Sequence, residues 1–96
     1  MNDSQKKLTP LRLEIDAVDQ ALIKLIAQRF SIVDRVIKIK RNSSLPASIP
    51  ERVEQVVQNA IQRAKESNIP EMTVEKIWRL LIAETIAYEE SELTPK

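Results

Sequence analysis

Cysteine, histidine and glycine are all absent from this chain of 96 residues. Without thiols or imidazoles there are no disulfides, no thiolate or imidazole chemistry, and no transition-metal site other than one built from carboxylates. A metal is therefore not expected. Without glycine the backbone has no raw material for phosphate-cradling loops, dinucleotide fingerprints or tight primed hairpins, which sets nucleotide enzymes aside. Aromatic residues are scarce too, with one Trp, one Tyr and one Phe, so bases find no stacking platform. The 15 basic and 14 acidic side chains are interspersed along the chain, and no basic stripe points to a nucleic-acid partner. No apolar run approaches the roughly 20 residues of a membrane span, and the segment from Met1 to Lys7 lacks the apolar stretch of a secretion signal. The expectation is a soluble, cytoplasmic protein with a single domain over residues 1–96. A domain this small buries only about two-thirds of its unfolded surface and needs unusual regularity, a staple or a partner.

What the sequence does contain is helical periodicity. Thr9 is a good N-cap and Pro10 a good first helical residue, and no breaker comes after them for about thirty residues. At 100° per residue, Leu11, Ile15, Val18, Leu22, Leu25, Val33 and Val36 all fall within about 40° of Arg29, forming one apolar stripe. The stretch NSSLPASI, residues 42–49, is rich in turn formers, and Ser48 is a candidate cap for the second helix. From Pro50, residues Val53, Val56, Val57, Ala60, Ile61 and Ala64 recur at helical spacing. Ser67 to Met72, with Pro70, is a second break, and a third helix from Thr73 stops before Thr94 and Pro95. The fold class is all-α, with helices over roughly 10–41, 50–66 and 73–92. A first helix of about 46 Å outruns the width of a compact domain of this size. Its stripe needs a partner, and an intertwined homodimer with the long helices side by side supplies one.

Two cations sit where the core should be. Arg29 is at the centre of the first stripe, and Lys40, about 20° away around the axis, shares its face. Unpaired burial of either costs several kcal/mol, so each needs a carboxylate from the protein or from a ligand. Asp16, Asp19 and Asp34 on the same helix are turned away by about 80° to 140°. Glu54, Glu84 and Glu89 on other helices are the protein's candidates; carboxylates of a ligand are the alternative. Arg52 stands in the first turn of the second helix, where a cation is best tolerated beside an anion. Arg12 lies about 25 Å along the axis from Arg29 and about 100° around it, so the two reach one small ligand only if Arg12 enters a partner's site. Thr85 and Glu89, one turn apart on the third helix, are polar groups beside Leu81 and Tyr88.

The runs LRLEIDAVDQALIKLIAQRF, VIKIK, PERV and IWRLLIAETIAYEE together resemble the all-helical chorismate mutase family from about Leu8 to Glu92. The family's pattern has an Arg, a second Arg seventeen residues later, a Lys eleven further on and an Arg twelve beyond that, which Arg12, Arg29, Lys40 and Arg52 reproduce. The resemblance implies a three-helix protomer in an intertwined homodimer with two equivalent sites. Each site takes Arg12 from the partner. It further implies that Arg29 and Arg12 bind the two substrate carboxylates, that Lys40 contacts a carboxylate and the ether oxygen, and that Arg52 supports the anion site. Thr85 then lies near a carboxylate, and Glu89 donates a hydrogen bond to the ether oxygen, for which it must carry a proton.

The implied reaction, chorismate to prephenate in aromatic amino acid biosynthesis, is a pericyclic rearrangement that needs no proton shuttle, nucleophile or metal. The protein holds the compact diaxial conformer and stabilises charge growing on the ether oxygen. The sequence departs from the pattern at Ile49 and Val53, where many of these mutases carry acidic groups for the substrate hydroxyl. The PERV run also resembles the isochorismate pyruvate lyases, which make salicylate and pyruvate on the same scaffold. A third reading is a non-catalytic regulatory or interaction module whose cations pair with acids. On that reading Arg29→Ala or Lys40→Ala destabilises the fold, whereas an empty cluster of cations is expected to tolerate the change.

Overall fold

The computed structural model describes residues 2–94; Met1 and Pro95, one in the polar start and the other an expected helix stop, lie outside the described residues. Three helices account for the architecture: α1 (Asp3–Ser43), α2 (Pro50–Glu66) and α3 (Glu71–Leu93). The all-α reading holds, and no strand occurs among the described residues.

The start of α1 differs from the expectation. Asn2, not Thr9, opens the helix: its Oδ1 accepts the amide of Gln5 at 2.8 Å, and its carbonyl accepts Lys6 N at 3.1 Å. Pro10 therefore lies inside the helix, where it removes one backbone donor. Thr9, one residue earlier, turns its hydroxyl back onto the Gln5 carbonyl at 3.2 Å instead of capping. Asn2 supplies the side-chain cap that was expected of Thr9, and the helix runs on through Pro10 at the loss of one backbone bond.

The chain divides after Ile32 into two compact units. Residues 2–28 of the first are exposed throughout, including the stripe residues Leu11, Val18, Leu22 and Leu25, each half exposed or more. Arg29 and Phe30 are half-buried.

In the second unit, α2 and α3 pack on each other around Ala60, Ala64 and Val74, with Trp78 against them. Val57 is fully buried. Small residues at two turns of α2 let the helices approach closely. Arg79 of α3 bridges Glu54 of α2 at 3.1 Å and Glu75 at 3.0 Å on the surface, and these carboxylates raise the pKa of its guanidinium.

Both interhelix turns are made without glycine. At the end of α2, Asn68 adopts φ 57°, Asn68 N bonds to Lys65 O at 3.2 Å, and Ile69 N reaches back to Ala64 O at 3.1 Å. This pair of bonds is a Schellman closure. Ser44, also at φ 57°, ends α1 in the same way, with Leu45 N on Lys40 O at 3.0 Å. The connection then runs to Ile49, whose extended φ −120° and ψ 99° reflect the proline after it. Ile49 occupies the N-cap of α2 with no side-chain cap, so Ser48 does not cap the helix as expected.

Candidate active site

Lys40 is the centre of the candidate site. It lies in the last turn of α1, three residues after the buried Ile37, and it is itself buried, at 9% exposure. Its Nζ donates to Glu89 Oε1 at 2.7 Å and to the carbonyl of Ala47 at 2.7 Å. The second bond follows from the turn at Ser44. Because that left-handed residue folds the connection back over the end of α1, a backbone carbonyl four residues after the helix end points at the Lys40 ammonium. Lys40 thus joins three pieces of chain: its own helix, the connection and α3.

Glu89 and Thr85 face the same way on α3, one turn apart, at 6% and 7% exposure. Burial at this level separates them from the ordinary solvated Thr and Glu of a helix end. Thr85 donates its hydroxyl to the Leu81 carbonyl at 2.7 Å. Among the described residues no buried side-chain nitrogen or oxygen lacks a partner. Of the acids named as candidates for the central cations, Glu89 is the one that meets Lys40, while Glu54 is taken by Arg79.

The arginines are placed differently. Arg52, in the first turn of α2, is exposed and donates to Gln55 Oε1 at 2.6 Å. Arg12 is exposed in the first unit, with Nη1 on Gln5 Oε1 at 3.2 Å. Arg29 is half-buried in that same unit. The structure thus brings Lys40, Glu89 and Thr85 to buried positions of the second unit and leaves Arg12 and Arg52 at the surface. Ile49 and Val53, at the two ends of the first turn of α2, are half-buried. The Ile49 carbonyl accepts the amides of Arg52 and Val53 at 3.0 and 3.1 Å.

Two polar ties beside the buried pair were not anticipated from the sequence. The Tyr88 hydroxyl donates to Asp34 Oδ1, and this acceptor, ahead of desolvation, raises the phenol pKa above its ordinary value of 10.0. Arg41 Nη2 donates to the Glu92 carbonyl at 2.7 Å. The last turn of α3 has no basic residue of its own, and Arg41 supplies the cation that the helix dipole favours there. A cleft of about 320 Å³ lined by Asp34, Ile37, Lys38, Arg41 and Glu92 runs alongside. The Asp34, Ile37, Arg41 spacing was the available signal: one face of a helix that carries charge on both sides of a buried residue.

Among the described residues no group of acidic side chains is arranged to hold a metal ion, and no helix is long and apolar enough to cross a membrane. Lys40, Glu89 and Thr85 can offer a small ligand an ammonium, a carboxyl group and a hydroxyl. Residues 11–90 match the chorismate mutase type II family. A chorismate mutase of Methanocaldococcus jannaschii is 33% identical over 88 residues, which cover 92% of this chain and 89% of that protein. The T-protein of Enterobacter agglomerans is 32% identical over 83 residues, 86% of this chain but 22% of its own length. A 4-amino-4-deoxychorismate mutase of Streptomyces pristinaespiralis is 31% identical, with 86% of this chain and 64% of that protein covered. No solved structure matches the chain significantly. With a family match that spans the three helices and a relative of nearly equal length, the chain belongs to the chorismate mutase type II family.

Proposed function

We propose that the protein is a chorismate mutase that converts chorismate to prephenate by electrostatic positioning, with Lys40 and Glu89 at the breaking ether bond. The observation that carries this reading is the buried Lys40–Glu89 pair, 2.7 Å apart, within a chain matched to the family over residues 11–90. A rearrangement with no external nucleophile asks the protein for two things: a clamp that holds the reactive conformer and donors aimed at the oxygen where charge develops. Lys40 brings an ammonium already desolvated and aimed by two acceptors. Donors fixed in advance cost no reorganisation when the bond breaks. Substrate takes the place that Lys40 and Glu89 now fill for each other, and Glu89 contributes a hydrogen bond to the ether oxygen when it carries a proton.

Arg29, and Arg12 from a second copy, bind the two substrate carboxylates in this reading, with Arg52 and Thr85 supporting the anion. The exposed stripe from Leu11 to Leu25 supports a homodimer, since apolar residues half exposed or more along a helix face are what a partner helix covers. A working location in the cytoplasm completes the proposal.

The test is turnover by the purified protein of chorismate, isochorismate and 4-amino-4-deoxychorismate in separate reactions, with products identified. Prephenate from chorismate as the preferred reaction is the expected result. Salicylate and pyruvate from isochorismate would move the assignment to the lyase, preference for the amino substrate would change the ring substituent recognised, and no turnover of any would leave a non-catalytic module. Glu89→Gln, which carries N–H donors, should keep turnover, whereas Glu89→Ala, which offers no donor to the ether oxygen, should lose most of it.

A further inference from the structure

We propose that Asp34 and Tyr88 are positioning residues: their hydrogen bond fixes the rotation of α3 about its own axis and so holds Glu89 against Lys40. The inference rests on the proposed mutase reading for its consequence in turnover, while the geometry stands on the contacts themselves. Asp34 and Lys40 are separated by about 120° around α1, and the buried Ile37 lies midway between them. Tyr88 and Glu89 are neighbours about 100° apart around α3, and the buried Thr85 falls between them. The Tyr88–Asp34 and Lys40–Glu89 bonds are therefore two side-chain ties between α1 and α3, set on either side of the buried Ile37 on the one helix and of the buried Thr85 on the other.

The packing of α3 on α2 and the Arg41 bond to the Glu92 carbonyl set its rotation coarsely, and the two bonds on either side of Ile37 set it finely at Glu89. The two are unequal in stiffness. Lysine ends a flexible four-carbon stem and can follow a moving carboxylate, whereas a tyrosine ring has only two side-chain torsions. Tyr88 is therefore the stiffer tie, while Lys40, with more torsions, depends on the Ala47 carbonyl and on the placement of Glu89 for its aim. A helix about 10–12 Å across, turned by about 10°, carries a side chain through about 1 Å. A displacement of that size at reacting groups can cost up to about 10²-fold in rate. The Tyr88 hydroxyl acts through Asp34, outside the buried Lys40–Glu89 pair.

The experiment compares wild type, Tyr88→Phe, Asp34→Ala and Asp34→Asn in two measurements. The first is steady-state turnover of chorismate. The second, in the ligand-free protein, is the carbon NMR resonance of the Glu89 carboxyl, assigned by its loss in Glu89→Gln. Tyr88→Phe and Asp34→Ala should lower kcat by about 10-fold with KM within about two-fold, because an interaction made chiefly in the transition state is misplaced. Both should shift the Glu89 resonance. Asp34→Asn keeps an oxygen acceptor for the phenol and should restore the resonance and most of the rate. If Tyr88→Phe does not fold, the Asp34 pair carries the comparison. Wild-type kcat in Tyr88→Phe, a loss confined to KM, an unmoved Glu89 resonance, or Asp34→Asn as damaging as Asp34→Ala would each overturn the proposal. If the wild type itself fails to turn over chorismate but the resonance shifts as described, the positioning role stands and the mutase reading falls.

Discussion

Lys40 has three N–H donors and two of them are engaged by Glu89 and by the Ala47 carbonyl in a buried setting. The cost of removing it is set by the groups it leaves behind. Lys40→Ala strands the Glu89 carboxyl and the Ala47 carbonyl, and a buried pair broken on one side typically loses about 3–5 kcal/mol. Chemical denaturation should show that loss for Lys40→Ala and a smaller one for the double replacement Lys40→Met with Glu89→Leu, which leaves no charge unpaired. An empty cluster of cations was expected to relax when one was removed; at Lys40 the protein's own carboxylate reverses that sign. Destabilisation of Lys40→Ala thus no longer separates an enzyme from a non-catalytic module, and turnover has to decide. Tyr88 gives a separate reading in alkali. Its phenol pKa is raised by the Asp34 acceptor, so the stabilisation from that bond is complete below the unfolded value near 10 and disappears as pH climbs through the higher folded value. The stability difference between wild type and Tyr88→Phe should be constant through neutral pH and close only above about pH 10.

At the scale of the element, the helices themselves were legible and their ends less so. Periodicity located α2 with the bounds observed, and α3 to within two residues, because Pro50 and Pro70 punctuate the chain beside strong apolar spacing. Pro10 misled because the start it marks is local, whereas the helix opens at Asn2 and continues through the proline despite the backbone bond lost there. The two stops lacked their usual marker, since left-handed residues are here Ser44 and Asn68. Ser44 adopts a conformation that costs a residue with a Cβ roughly 1–2 kcal/mol, with Asn suffering less. Ser44→Gly should therefore raise unfolding stability by about 1 kcal/mol, and Asn68→Gly by less, as read from urea midpoints at unchanged slope. The site was legible as far as one helix face allows. Lys40 could be singled out because it breaks an apolar stripe, whereas Thr85 and Glu89, beside Leu81 and Tyr88, were marked by the family resemblance and not by spacing. The Ala47 carbonyl and the Asp34–Tyr88 bond depend on how the connection folds back and how α3 is rotated, and neither is written in local spacing.

At the scale of the molecule, the proposed activity depends on a second copy. If Arg12 serves the partner's site, then subunits carrying Arg12→Ala and subunits carrying Lys40→Ala, each inactive alone, should recover activity when unfolded together and refolded. Half of the dimers formed at random are mixed, and each mixed dimer has one intact site, so recovery should approach about a quarter of the wild-type rate. No recovery would place Arg12 in its own chain's site. The naked stripe of α1 has one more consequence. Leu11, Val18, Leu22 and Leu25 are left in water by the single chain, and an isolated helix has little stability apart from what its apolar face gains by packing. If a second copy covers that face, as proposed, docking and folding of that half of α1 are one bimolecular event. Thermal midpoint should climb with protein concentration, and specific activity should decay on dilution at the rate at which subunits part, so that the dissociation constant of the assembly sets the lowest concentration at which the enzyme works.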